Sequence, residues 1–219
     1  MRAAIASALT RHELELTEPA IARVERWAQE VQKHAKRSNL IGTSENDRIA
    51  EELIADSLQL LHVLPSAPVH MIDVGSGAGV PGLILHGALA DAQVRTSTLI
   101  EPRDKRAMFL RHASRAMGLS DQIQVIAERL EDASLDQRAS DTPVLWVSRA
   151  VFAPEKWLEV VASYARPQDL CAVWCNGHDL GTTWADPLSA WRLESERAYH
   201  VQGPGDRTVF LFRWTSAAT

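Results

Sequence analysis

Cysteine, lysine and glycine are all scarce in this 219-residue chain, and each scarcity excludes something. The two cysteines, Cys171 and Cys175, share an apolar run that reads as a buried strand. That excludes a disulfide framework and leaves a poor zinc site, since His178 is the nearest imidazole and a fourth ligand is missing. Both thiols are read as small core hydrophobes and no metal is expected. Only four of the 23 basic residues are lysine, against 28 acidic residues and a formal net charge of -5. Non-specific coating of nucleic acid scales with the phosphates neutralised, so this balance argues against it while leaving room for a local basic face. No apolar run approaches the length of a membrane span. The apolar stretch Met1 to Leu9 meets Arg11, His12 and Glu13 too soon to be a signal sequence. The expectation is a cytoplasmic protein with no membrane partner. A hydrophobic content of 46% with 23% charged residues fits a packed globular domain with a small extension.

Glycine is nearly absent before residue 65, and there the apolar residues recur at helical steps. Leu14, Leu16, Ile21, Val24, Trp27 and Val31 form one series, and Ile49, Leu53, Ile54, Leu58 and Leu61 another. Thr17-Glu18-Pro19 supplies a cap and an early proline, and Thr43 or Ser44 is the expected cap of the next helix. Prolines at 65 and 68 end this region. The expected organisation is a helical subdomain over 1–66 followed by a second domain over 67–219. Beyond residue 68 the period changes. Strands are expected at Val69 to Val74, Val94 to Ile100, Ile123 to Ala127, Val144 to Ser148 and Leu170 to Cys175, with helical segments between them. Such alternation means parallel βαβ units. Two further strand-like runs, Ala190 to Val201 and Arg207 to Trp214, flank Gly203-Pro204-Gly205 and read as a hairpin. An α/β, Rossmann-like, mostly parallel seven-stranded sheet closed by a C-terminal antiparallel hairpin is the plan of the class I S-adenosylmethionine methyltransferase fold.

The glycines present are concentrated after the first strand, in Asp73-Val74-Gly75-Ser76-Gly77-Ala78-Gly79-Val80-Pro81-Gly82. A glycine loop between a strand and a helix lets a ligand approach the backbone closely. Residues 77–82 also fit the GxGxxG of nicotinamide enzymes, with Glu101 at the end of the second strand as a ribose-binding acid. Three features favour S-adenosylmethionine. Asp73 would repel a pyrophosphate but attract the cofactor's ammonium. The chain leaves no separate substrate domain for a dehydrogenase. Glu128-Arg129-Leu130-Glu131 follows the third strand, where an adenine would be read.

These residues carry a resemblance. Gly75-Ser76-Gly77-Ala78-Gly79-Val80-Pro81-Gly82, Glu101 with Lys105 and Phe109-Leu110-Arg111, Arg129 with Glu131, and Ser148-Arg149-Ala150-Val151 resemble the small-subunit ribosomal RNA guanine-N7 methyltransferases. Asn39-Leu40 and Asp56-Ser57-Leu58 are similar to that family's helical signature. The resemblance implies methyl transfer from S-adenosylmethionine to N7 of a guanine in the 530 loop of 16S rRNA, in the small subunit or an assembly intermediate, by a monomer. It implies that Asp73, Gly75, Ser76, Gly77 and Gly79 line the methionine end, that Glu101 takes the ribose hydroxyls, and that Leu130 and Glu131 lie beside the adenine. It also implies that Arg149 faces the target base or its phosphate as the catalytic residue, with Asn39 and Asp56 shaping the RNA side. The chain departs from the family at His34-Ala35, where Trp-Asn is usual, at Leu53 in place of histidine, and at Asn176-Gly177 in place of lysine-glycine.

Guanine N7 has an in-plane lone pair and no proton, so its methylation needs positioning and desolvation and no general base. Arg149 suits the guanine O6 or a phosphate, and a structural ion pair is its competing reading. Phosphate contacts are expected from Lys33, Lys36 and Arg37, and from a second basic stretch between Arg103 and Arg115. Of the seven tryptophans, Trp184 is the expected base-stacking candidate and the others are expected in the core.

Overall fold

The computed structural model describes residues 1–38, 41–67, 69–135, 142–149, 151–177 and 190–215, leaving aside the side chains of residues 35–38. Asn39, Ala150, His178 and Trp184, with the side chains of Lys36 and Arg37, therefore lie outside the described residues. Two helices open the chain, α1 (Arg2–Arg11) and α2 (Glu18–Ser38). Thr17 closes the first turn of α2, its Oγ1 accepting the Ala20 amide at 3.4 Å. One stripe of α2 is buried, carrying Ala20, Val24, Trp27, Ala28 and Val31 at three- and four-residue steps. The next helical stretch is irregular. A short α3 (Asn46–Arg48) runs into a π-helical segment, Ile49–Ala55, then α4 (Asp56–Leu58) and a 3-10 turn, Gln59–His62. The expected capping by Thr43 falls two positions early, since its Oγ1 accepts the amide of Glu45, which is itself the residue preceding α3.

The remainder alternates as expected: β1 (Val69–Val74), α5 (Gly82–Leu89), β2 (Val94–Ile100), α6 (Asp104–Ala116), β3 (Ile123–Ile126), β4 (Val144–Val147), α7 (Pro154–Ala162), β5 (Leu170–Asn176), β6 (Trp191–Val201) and β7 (Gly205–Trp214). The sheet order is β3-β2-β1-β4-β5-β7-β6. β1 to β5 pair in parallel, whereas β7 runs antiparallel to both β5 and β6. This is the seven-stranded methyltransferase plan. After β1 the chain crosses to β2 on one side and later reaches β4 on the other, and that reversal opens a crevice at the carboxyl ends of β1 and β4.

Alternation along β1 divides the core, Met71 packing on one face of the sheet and Ile72 and Val74 on the other. The first face is continuous with the N-terminal helices, so that Ile5, Trp27 and Leu58 share a buried cluster with Leu83, Leu99 and Leu211. The second gathers Trp146, Trp157, Leu158, Phe210 and Phe212. Helix α5 is apolar all round and lies between α2 and the sheet. Its one imidazole, His86, is buried between the Ser97 hydroxyl at 2.6 Å and Gln122 Oε1 at 3.1 Å. Burial lowers its pKa to about 4, so it is a neutral hydrogen-bonding post. Cys171 is buried and Cys175 half-buried, both with their pKa raised by burial, Cys175 to about 11, as befits inert core thiols. No helix among the described residues is long and apolar enough to cross a membrane.

Candidate cofactor and substrate cleft

The glycine loop fills the turn between β1 and α5, and its amides are taken up by neighbouring strand ends. Gly75 and Ser76 donate to the Ile100 carbonyl at 2.8 and 3.1 Å. Glu101, buried just beyond β2, accepts the Gly77 amide on Oε2 at 2.9 Å and the Arg103 amide on Oε1 at 3.0 Å. Each carboxylate oxygen keeps a further lone pair. Gly75, Gly77 and Gly79 have φ of +73°, +56° and +86°, a region that other L-residues rarely adopt. A Cβ on Gly75 would also lie 2.4 Å from Cγ2 of Val151. Trp27, deep in α2, donates its indole N–H to the Ala78 carbonyl at 2.8 Å, so the N-terminal helices help to hold the loop.

A cleft of about 360 Å³ opens in front of this loop. Gly75, Ser76, Gly77, Ala78 and Val80 form its floor, and Ile41, Gly42 and Leu53 close the side of the N-terminal helices. Arg106 of α6, Arg149 and Val151 complete the described lining. Arg106 was expected only as a phosphate-gripping residue on the helix surface; its place in the first turn after Arg103 brings it to the cleft. Leu53, the departure from the family's histidine, is a lining residue.

Asp73 does not reach the cleft. It is fully buried behind the loop, where Oδ2 accepts the Gly82 amide at 3.1 Å and Oδ1 has no partner. Burial raises its pKa to about 7, against the hydrogen bonds of Ser76 and the Gly82 amide and with a smaller push from the Glu101 charge. The direct ammonium contact expected of Asp73 thus gives way to a role in holding the loop to α5. A Cβ at Gly82 would fall 2.3 Å from Asp73 Oδ2, so glycine is required for that hold.

Asp56 also requires correction. As a side chain of 0% exposure it presents nothing to an RNA. Its carboxylate pairs with Arg149 and with Arg207 Nη1 at 2.7 Å and accepts the Tyr199 hydroxyl at 2.5 Å. Arg149 donates further to the Glu52 carbonyl at 2.9 Å, and its Nη1 is buried with no hydrogen-bond partner. The ion-pair reading of Arg149 and its cleft position therefore hold together. Arg149 also lines a recess of about 40 Å³ with Ser148, Phe152 and Trp174, so it stands between two openings. Tyr199 and Arg207 had no signal in the sequence, being 143 and 151 residues from Asp56.

The other expected residues lie apart. Leu130 is buried in the second core cluster and Glu131 is exposed; neither is in the described lining of the cleft. Lys33 is exposed and paired with Glu30 Oε1 at 2.7 Å, while Glu30 Oε2 meets His112 Nε2 at 2.8 Å. Burial works to raise the Glu30 pKa, but Lys33 and His112 outweigh it and hold the carboxyl below its ordinary range.

Sheet order, glycine loop and strand-end acid together define a class I methyltransferase. The model of the rRNA small subunit methyltransferase G family, GidB, matches residues 20–203, and the chain belongs to that family. It is 35% identical to ribosomal RNA small subunit methyltransferase G of Desulfotalea psychrophila over 70% of this chain and 69% of that one. With the protein of the same name from Chloroflexus aggregans it shares 31% identity, over 86% of this chain and 74% of the relative. Among solved structures, it is similar to the tRNA methyltransferase TrmK of B. subtilis, with a TM-score of 0.55 at 13% identity, covering 72% of this chain and 65% of TrmK; that likeness shows the fold alone.

The residues present fit S-adenosylmethionine. The cleft volume lies in the range of small-molecule sites, and the positive-φ glycines leave its floor without side chains at 75 and 77.

Proposed function

We propose that this chain transfers the methyl group of S-adenosylmethionine to N7 of a guanine in the 530 loop of 16S rRNA, within the small subunit or an assembly intermediate. Family membership and the names of the relatives support the substrate class. The observation that carries the chemistry is the cleft lining: its only ionisable side chains among the described residues are the guanidiniums of Arg106 and Arg149. Among the described residues this lining holds no carboxylate, imidazole or thiolate to remove a proton. Guanine N7 has none to remove.

Bound S-adenosylmethionine supplies an electrophilic methyl group. The residues of the chain do the rest by positioning and by excluding water. The glycine loop seats the donor, held from behind by Asp73, Glu101 and Trp27. Glu101 has lone pairs left for ribose hydroxyls. Arg149, fixed by Asp56 and the Glu52 carbonyl, stands in the cleft lining, where its guanidinium would meet guanine O6 or a phosphate. Arginine suits this task through hydrogen bonding; its charge gives no help to a base that becomes cationic. Lys33, exposed on α2, is the described residue proposed to meet an RNA phosphate from the helical segment 1–66, and that segment also lends Ile41, Gly42 and Leu53 to the cleft whose glycine floor belongs to 67–219. The protein works in the cytoplasm as a monomer.

Tritium transfer from labelled S-adenosylmethionine to small subunits and to naked 16S rRNA, followed by mass mapping of the modified nucleotide, tests this reading. Label in a 530-loop guanine is expected. Donor binding without transfer to either RNA substrate would point to a small-molecule or protein acceptor and overturn the proposal.

A further inference from the structure

On the side of α6 that faces α2, away from the described lining of the cleft, three potential metal ligands converge. We propose that Glu30, His34 and His112 form a zinc site that ties α2 to α6. A carboxylate oxygen of Glu30 and one ring nitrogen from each histidine all lie within 4.8 Å of one another. Glu30 and His34 are one turn apart and share a face of α2. His112 comes from α6, its ring centroid 5.2 Å from that of His34.

The second contacts suit metal binding. His34 Nδ1 sits 2.9 Å from the Glu30 carbonyl. A carbonyl only accepts, so Nδ1 carries the hydrogen and the lone pair is on Nε2. This is the outer hydrogen bond that metal-bound imidazoles use to fix their tautomer and orientation. The Glu30 side chain is only 8% exposed and so forms an anchored anion, while His112 at 50% exposure has room to shift. Tetrahedral zinc with ligand bonds of about 2.0–2.1 Å separates its ligand atoms by roughly 3.4 Å. The present His112–Glu30 hydrogen bond of 2.8 Å must therefore open by roughly half an ångström to admit the ion. Lys33 occupies the other oxygen of Glu30 and leaves Oε2 to the metal.

Two imidazoles and one carboxylate, with a fourth position left to water, is a donor set that zinc accepts. Calcium and magnesium prefer oxygen alone, and copper(I) prefers sulfur. An ion here would cross-link two walls of the cleft from behind. Helix α2 leads into Ile41 and Gly42, and α6 carries Arg106 in its first turns.

The test is titration of the chelator-stripped full chain with zinc chloride in a non-coordinating buffer, by calorimetry, with cobalt(II) absorption as a second readout. One ion per chain is expected, with the intense visible bands of four-coordinate cobalt. Affinity should fall about tenfold or more in His112→Ala and in His34→Ala, and remain unchanged in His200→Ala, which removes another exposed histidine–carboxylate pair. His112 is half exposed, so its variant keeps the fold, and circular dichroism checks this. No stoichiometric binding, or binding that survives both substitutions, would overturn the site.

Discussion

Removal of the Asp56 carboxylate is the perturbation whose consequence is most directly set by the fold. The group is fully buried and faces two guanidiniums, Arg149 and Arg207, whose side chains are only 16% and 17% exposed, together with the Tyr199 hydroxyl. In Asp56→Ala both cations lose their counter-charge where water reaches them poorly. Breaking a buried ion pair from one side costs about 3–5 kcal/mol, a large part of the roughly 5–15 kcal/mol that holds a domain folded. Urea unfolding followed by circular dichroism near pH 7.5 should show a loss in that range. Because Asp56 and Arg149 act through one contact, the Asp56→Ala and Arg149→Ala effects should be non-additive, with a coupling of about 1–3 kcal/mol. Among these variants, Arg149→Ala should lower methyl transfer far more than donor affinity. A loss below about 1 kcal/mol in Asp56→Ala, or strict additivity with Arg149→Ala, would refute the buried-hub reasoning.

Asp73→Asn should change the pH dependence of stability. A carboxyl whose folded pKa is raised to about 7 binds more protons in the folded state than in the unfolded one, so the parent loses stability as pH rises from about 4 to about 7. That difference is on the order of 4 kcal/mol. His86, lowered to about 4, contributes the opposite slope, so the measurement is the difference between parent and Asp73→Asn across pH 4 to 8; a pH-independent difference counts against the buried, raised carboxyl. Gly75→Ala adds left-handed backbone strain of about 1–2 kcal/mol to the 2.4 Å approach to Val151, and calorimetry with S-adenosylhomocysteine should show weaker binding. Gly77→Val should weaken the same binding for a different reason: the nearest atoms to a Cβ there are 3.7 Å away, so strain at φ +56° acts where steric contact does not. Unchanged affinity in either glycine variant would move the donor away from this loop. Trp27→Phe removes the indole hydrogen bond to the Ala78 carbonyl, and should cost about 1 kcal/mol of stability together with some donor affinity, read by thermal unfolding with and without S-adenosylhomocysteine.

Strand and helix positions were legible because they rest on short-range physics. The short apolar run Val69 to Val74, the glycines before Gly82 and the hairpin turn at Gly203 each declare themselves within a few residues. The position of Glu101 at a strand end was legible for the same reason, and the structure shows its buried carboxylate holding the Gly77 and Arg103 amides, outside the described cleft lining. Asp73 and Leu130 show where this stops. Sequence placed both near the ligand, but burial behind the loop and in the second core cluster is decided by which faces pack together. Asp56 is the sharper case. Its carboxylate looked like an RNA contact within its own helix, and only the docking of the hairpin brings in Tyr199 and Arg207 to turn it into the anchor of Arg149.

By itself, then, the amino-acid order determined the βαβ alternation, the loop and its strand-end acid, because propensity, turn chemistry and hydrophobic period act locally. The partners of Asp56, the bracing of Ala78 by Trp27 and the meeting of Glu30 and His34 with His112 were decided only by tertiary structure. Each joins residues 50 or more positions apart, and nothing short of packing the N-terminal helices and the hairpin onto the sheet brings them within bonding distance.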